Sequence, residues 1–138
     1  VIRLATQGDL PAIQHIVRDA FSPYIVDIGR EPAPMTDDYA ALINQGIVWL
    51  IDDCGVMVLK RHDDHLEVKT IAVSPAAQGQ GYGRQIMQHC DDVAGGKPIR
   101  LLTNAKMIRN IRFYQACGYR ITDKRSEDGF DRIYFEKP

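Results

Sequence analysis

Gly79, Gly81 and Gly83 occupy alternate positions of one short segment, Gln78-Gly79-Gln80-Gly81-Tyr82-Gly83-Arg84. An alternating run, Leu66 to Val73, precedes it, and a run with helical spacing, Arg84 to Cys90, follows. Glycines between a strand and a helix N-terminus gather several backbone N–H groups into one small concavity. First-turn amides have no partner within the helix, and the positive end of the helix dipole points the same way. A phosphate or diphosphate satisfies both. The missing side chains also let a ligand approach the main chain closely. The same glycines would make a tight strand-to-helix turn without any ligand, and the two readings are compatible, because the turn is what aims the amides.

Two common phosphate sites do not fit. Arg84 and Gln85 stand where a Walker A loop requires Lys and Ser or Thr. A dinucleotide-binding βαβ unit would end its next strand in an acidic residue, whereas here the chain reads Arg100-Leu101-Leu102-Thr103. Several antiparallel-looking strands also come before the loop.

The elements that position this loop follow from periodicity and punctuation. Val1 to Ala5 reads as a short strand. Asp9 is a candidate N-cap with Pro11 in the first turn, and Ile13, Ile16, Val17, Ala20 and Phe21 form one apolar helix face. Ser22 to Met35 carries three prolines and a glycine and is expected to be a loop. Thr36 is the expected cap of a second short helix through Ile43, ended near Gly46. Ile47–Ile51 and Val56–Lys60 form a hairpin, and a turn through His62 and His65 leads into the strand before the loop. After it come a helix with Ile86, Met87, Cys90, Val93 and Ala94 inward, a strand Ile99–Thr103, and a helix Ile108–Cys117. A final hairpin joins Tyr119–Thr122 to Phe130–Phe135. One mixed α/β domain spanning 1–138 is expected.

Bulk properties narrow the function. With 138 residues, 45% hydrophobic and 25% charged, the chain can build a real core. A net charge of −1 and no basic stripe argue against nucleic acid or a membrane surface as partner. No apolar run approaches the roughly 20 residues of a membrane span. The first residues lack the features of a signal peptide. Cys54, Cys90 and Cys117 are odd in number and far apart, so a reduced, cytoplasmic setting is expected. Two histidines without a third ligand give no metal site.

With these residues in view, the chain resembles the GNAT superfamily of acyl-CoA N-acyltransferases. The family's Gln/Arg-x-x-Gly-x-Gly/Ala loop is met by Gln78 to Gly83, at the usual distance after Ile71-Ala72-Val73-Ser74-Pro75. A second family segment, an aromatic pair on a helix followed by Gly and another aromatic, is met by Phe113-Tyr114-Gln115-Ala116-Cys117-Gly118-Tyr119. The resemblance covers nearly the whole chain. It implies an α+β fold with a mixed, mostly antiparallel sheet, helices on both faces and splayed central strands.

It also implies roles. Acetyl-CoA would be the cosubstrate, its diphosphate held by the amides of Gly79, Gln80, Gly81, Tyr82, Gly83 and Arg84, with the side chains of Gln78, Gln80 and Arg84 as helpers. The main chain of Ile71, Ala72 and Val73 would pair with the pantetheine arm, and an N–H of Ala72 or Val73 would polarise the thioester carbonyl. Tyr114 would protonate the departing thiolate, against the plainer role of a buried tyrosine. Glu67, or an ordered water, would take the amine's proton, against the plainer role of a strand carboxylate paired with Lys69 or Lys60. Asn104 or Asn110 would contact CoA, but the asparagine often found seven residues before the tyrosine is Met107 here. The implied reaction is acetyl transfer to a primary amine, on a small molecule or a protein, with Ser22–Met35 and Arg125–Phe130 around the acceptor mouth. A homodimer is possible on this resemblance, and a non-catalytic CoA-binding sensor is the alternative function.

Overall fold

A computed structural model describes all of residues 1–138. Seven strands form one sheet in the order β1-β2-β3-β4-β5-β7-β6. The strands are β1 (Ile2–Leu4), β2 (Val48–Ile51), β3 (Gly55–Arg61), β4 (Leu66–Val73), β5 (Ile99–Asn104), β6 (Arg120–Glu127) and β7 (Phe130–Lys137). Every neighbouring pair is antiparallel except β4 with β5. The helices are α1 (Leu10–Phe21), α2 (Ile25–Ile28), α3 (Tyr39–Asn44), α4 (Tyr82–Ala94) and α5 (Ile108–Ala116). No helix is long and apolar enough to cross a membrane.

Helices cover both faces, and each face has its own core. On one side Ile13, Ile16, Val17 and Phe21 of α1 pack with Ile43 of α3 onto Val48, Leu50, Val56 and Val58. On the other, Ile86, Met87, Cys90 and Ala94 of α4 and Tyr114 of α5 pack onto Met57, Leu66, Val68, Leu101 and Phe135. Each large aliphatic buried this way contributes about 1.5–3 kcal/mol relative to exposure.

The feature that makes a site is the parting of β4 from β5. Their parallel ladder holds only Leu66↔Ile99, Glu67↔Arg100 and Val68↔Leu101. At that point β4 carries a bulge: Val68 lies opposite Leu59 and Thr70 opposite Val58, leaving Lys69 as an extra residue. A bulge bends its strand and raises the local twist, so β4 swings away from β5 and the two strands form a V. It also reverses which side chains face which core. Leu66 and Val68 belong to the α4 side, but beyond the bulge Ile71 and Val73 pack there and Ala72 joins the core beneath α1.

Several local expectations need correction. The segment Ser22–Met35 is not a plain loop: a 3-10 turn at Ser22–Tyr24, helix α2 ended by Gly29 at φ +85°, and a 3-10 turn at Ala33–Thr36 fill it. Proline at the first turn of each 3-10 segment fits there, because that position has no amide to satisfy. The cap of α3 is Asp38, whose carboxylate accepts from the Ala41 N–H at 3.1 Å, rather than Thr36. Asp9 holds the N-cap position of α1 but does not cap it by its side chain. Its carboxylate instead takes both Arg3 guanidinium nitrogens at 2.9 Å and the Thr6 N–H at 2.8 Å. The last hairpin is longer than expected and turns tightly through Asp128 and Gly129, both at positive φ.

Candidate functional site

The strand-to-helix loop has the shape its residues call for. Gly79 and Gly81 lie at φ +81° and +89°, conformations that disfavour a side chain, and a Cβ at either would meet nothing within 4 Å. Gly83 is there for a different reason: a Cβ would come within 3.0 Å of the Phe113 ring. The first amide of α4 to find a backbone partner is that of Gln85, bonded to the Gly81 carbonyl at 3.2 Å. The amides of residues 79–84 are left without backbone acceptors, as an anion nest requires.

A groove of about 430 Å³ runs from this nest along the open edge of β4. Its walls include Gln78, Gly79, Gly81, Tyr82, Gly83 and Arg84 from the loop and Ile71, Ala72 and Val73 from the strand. Alternate residues of an antiparallel strand face its partner. Ser74 donates to the Cys54 carbonyl at 2.8 Å, so Ala72 also turns its backbone groups toward β3. The N–H and C=O of Ile71 and Val73 point into the V. This corrects the expectation of an Ala72 donor: the available amides are those of Ile71 and Val73.

A second, smaller cavity of about 120 Å³ lies on the other side of the V. It is bounded by Pro32, Ala33, Pro34 and Asp37 before α3, Lys69 and Thr70 on β4, Leu102, Thr103 and Asn104 on β5, and Phe130 and Arg132 on β7. Phe21, Ile71, Asn110 and Tyr114 line both spaces, so the two meet there. The expected mouth segments do converge. Arg30 donates to the Asp128 carbonyl at 3.0 Å and lies 4.1 Å over the Phe130 ring, tying the segment after α2 to the β6–β7 turn.

Tyr114 sits among the rings of Phe113, Tyr119 and Phe135, at 5.6–6.0 Å between centroids. Burial pushes its phenol well above the ordinary tyrosine range, so it is held protonated. The Asp37 carboxyl is also raised, by the loss of water around it, with Lys69 pulling the other way. Glu67 lines neither space. It stands at the closed end of the V, 2.9 Å from His62 Nε2 and 3.8 Å from Lys69 Nζ.

Comparison with known proteins gives the family and the fold. Residues 44–121 match the family model described as an acetyltransferase (GNAT) domain. The chain belongs to the GNAT acetyltransferase family. Solved structures share the fold over nearly the full length of both chains. An N-acetyltransferase from Thermoplasma acidophilum, PaiA, in complex with coenzyme A, has a TM-score of 0.79 at 16% identity, covering 99% of this chain and 97% of that one. A GNAT acetyltransferase from Streptococcus agalactiae gives 0.81 at 20%, covering 99% and 94%. The ribosomal-protein-S18-alanine N-acetyltransferase of Escherichia coli gives 0.75 at 24%, covering 100% and 92%.

Within this GNAT chain not every expected contact falls in the groove. Gln80 is absent from its walls and donates to the Ala76 carbonyl at 3.2 Å, while Gln78 donates to the Val73 carbonyl at 3.1 Å. Both amides brace the loop. Asn104 faces only the smaller cavity and its Oδ1 takes the Lys106 N–H at 2.9 Å. Asn110 reaches both spaces and points its amide toward Thr103 Oγ1 and Met107 Sδ at 3.4 Å, tying α5 to β5. Met107 is buried core. Sequence reasoning missed Ala20, Phe21 and Arg109 in the groove, and Asp37 and Thr103 in the cavity. Arg109 carried a signal, a cation at the start of α5 beside Asn110. Ala20 and Phe21 depend on how α1 folds over the V, Asp37 on the path of the chain before α3, and Thr103 on where β5 parts from β4.

Proposed function

We propose that the protein transfers the acetyl group of acetyl-CoA to a primary amine by direct attack, within one domain spanning 1–138. The observation that carries this reading is the junction at Ile71, Asn110 and Tyr114 between an amide-lined groove and a separate small cavity. A diphosphate fits the unpaired amides of residues 79–84, with Arg84 and Arg109 as counter-cations at the wall. A pantetheine arm fits the backbone groups of Ile71 and the N–H of Val73 as an added strand would, the Val73 carbonyl already accepting from Gln78. Bound there, acetyl-CoA supplies the thioester that is cleaved.

The chain's own groups then have distinct tasks. The amide of Ile71 or Val73 donates to the thioester carbonyl and tightens as charge develops on that oxygen. Tyr114, held protonated, gives its proton to the leaving sulfur. The acceptor ammonium must lose a proton before it attacks, since an alkylammonium titrates near pH 10. Glu67 enters this scheme only through a chain of ordered water, because it stands outside both spaces.

The test is release of CoA from acetyl-CoA in the presence of an amine panel, together with thermal shifts by CoA, ATP and NAD. Stabilisation by CoA alone and amine-dependent release are expected. Stabilisation without release across the panel identifies a CoA sensor instead, and a shift by ATP or NAD but not CoA ends the assignment.

A further inference from the structure

The smaller cavity contains three charged side chains, Asp37, Lys69 and Arg132, among otherwise apolar or neutral walls. None of the three is fully used by the protein. Lys69 acts on Asp37 electrostatically, yet its ammonium has an ion-pair contact only with Glu67, at 3.8 Å. Arg132 meets Glu127 at 3.4 Å and Asp128 at 3.6 Å, both through the same nitrogen, Nη1. A guanidinium has five N–H donors in a planar fork, so Nη2 and Nε remain for a ligand. The Arg132 side chain is only 17% exposed, which places those donors where water competes little.

We propose that the acceptor is a small amino-acid-like molecule bearing both a primary amine and a carboxylate. Asp37 receives and deprotonates its ammonium, and Lys69 and Arg132 take its carboxylate. This rests on the acetyl-transfer reading and names the acceptor class for it. The free donors of Arg132 and Lys69 beside one carboxylate complement a molecule that carries both a carboxylate and an ammonium, whereas a polyamine offers those donors no acceptor. The size agrees: about 120 Å³ lies well below the roughly 300–1,000 Å³ of drug-sized ligand sites.

Asp37 shares this cavity with Tyr114 and Ile71, so base, acid and backbone donor border the same space. The Asp37 carboxylate removes one proton from the ammonium, and the freed nitrogen lone pair attacks the thioester carbonyl carbon. As the C–N bond forms and the C–S bond breaks, Tyr114 gives a proton to the sulfur. The second proton on nitrogen leaves to solvent or to the Tyr114 phenolate. The products are the N-acetyl acid and CoA thiol. A carboxyl whose pKa is lifted by its surroundings is a stronger base than one in water. The groups around it that titrate or carry charge are Lys69, Arg132, Tyr39 and the neighbouring Asp38, which caps α3.

The experiment compares free amino acids with their carboxamides and with the matching decarboxylated amines, following CoA release by chromatography. The free acids should exceed both partners in kcat/KM by about tenfold or more. Carboxamides or simple amines as good as the acids overturn the proposal. Asp37→Asn should lower kcat/KM about 100-fold or more at neutral pH and recover as pH approaches the amine's own pKa near 10. An unchanged rate and pH profile overturn Asp37's role. Lys69→Met and Arg132→Gln should each narrow the preference for acid over carboxamide, and an undiminished preference in both overturns the carboxylate assignment. The CoA thermal shift reports folding, and if Arg132→Gln loses it, Lys69→Met is read alone. Wild-type stabilisation by CoA with turnover of none of the three series overturns the acceptor assignment alone. No stabilisation by CoA overturns the acetyl-transfer reading with it.

Discussion

A phenol enclosed by three aromatic rings is a poor place for a negative charge, so Tyr114 keeps its proton until the C–S bond breaks. Its phenolate is more basic than the departing thiolate, so the transfer is completed only as the phenolate regains a proton from the attacking nitrogen or from solvent. Tyr114→Phe keeps the ring packing and removes the proton. Turnover should fall about ten- to a thousand-fold while CoA affinity holds, a split read from kcat and from a CoA titration. Wild-type turnover in the variant removes Tyr114 as the acid. Burial acts on Cys90 in the same direction, pushing its thiol up to about 12. Cys90 is fully buried, while Cys54 and Cys117 are partly exposed. Native protein should therefore modify at Cys54 and, more slowly because burial raises its thiol too, at Cys117, with Cys90 spared until unfolding. Equal labelling of all three in native buffer would contradict this. The place of Tyr114 beside both spaces was legible because an aromatic pair before Gly118 marks it. Asp37 was not, because a lone acid before a helix looks like any capping residue.

The loop before α4 was legible at the level of single glycines, and β4 has the limits that its alternation implies. The bulge at Lys69 was not, because an extra residue exists only relative to β3. Yet the bulge decides which amides of β4 are open, so the sequence left Ala72 and Val73 as alternatives where the ladder leaves Ile71 and Val73. Gly81→Asp tests the loop as a unit. It forces a side chain to φ +89° and sets a carboxylate among amides that are to hold a dianion. CoA affinity should drop by about 100-fold or more in calorimetry, and retained affinity would mean that the diphosphate lies elsewhere. On the opposite face of α4, Ile86 is fully buried. Ile86→Ala should cost about 2–5 kcal/mol in urea unfolding, and a loss under 1 kcal/mol would show that the α4 core re-closes around the gap.

At the scale of the whole molecule, the order of the seven strands and of α1, α3, α4 and α5 follows from periodicity and punctuation, while α2 does not. The folding of residues 22–37 over the V does not either, because its anchors lie far off in the chain: Arg30 meets a carbonyl 98 residues away. Prolines forecast irregular backbone there but say nothing of where it lands. The edge strand β6 is exposed along nearly all its length and carries Arg120, Asp123, Lys124 and Arg125. Such charges discourage strand addition at that edge. The three paired rungs between β4 and β5 have a mechanical consequence. Strands β1–β4 and β5–β7 form two half-sheets that share a short spine and an unpaired margin beyond it. A ligand arm lying in that margin supplies missing rungs, so coenzyme occupancy should slow amide hydrogen exchange in β5 and β7 as well as in β4. Protection confined to residues 78–85 would show that the half-sheets move independently of what lies between them.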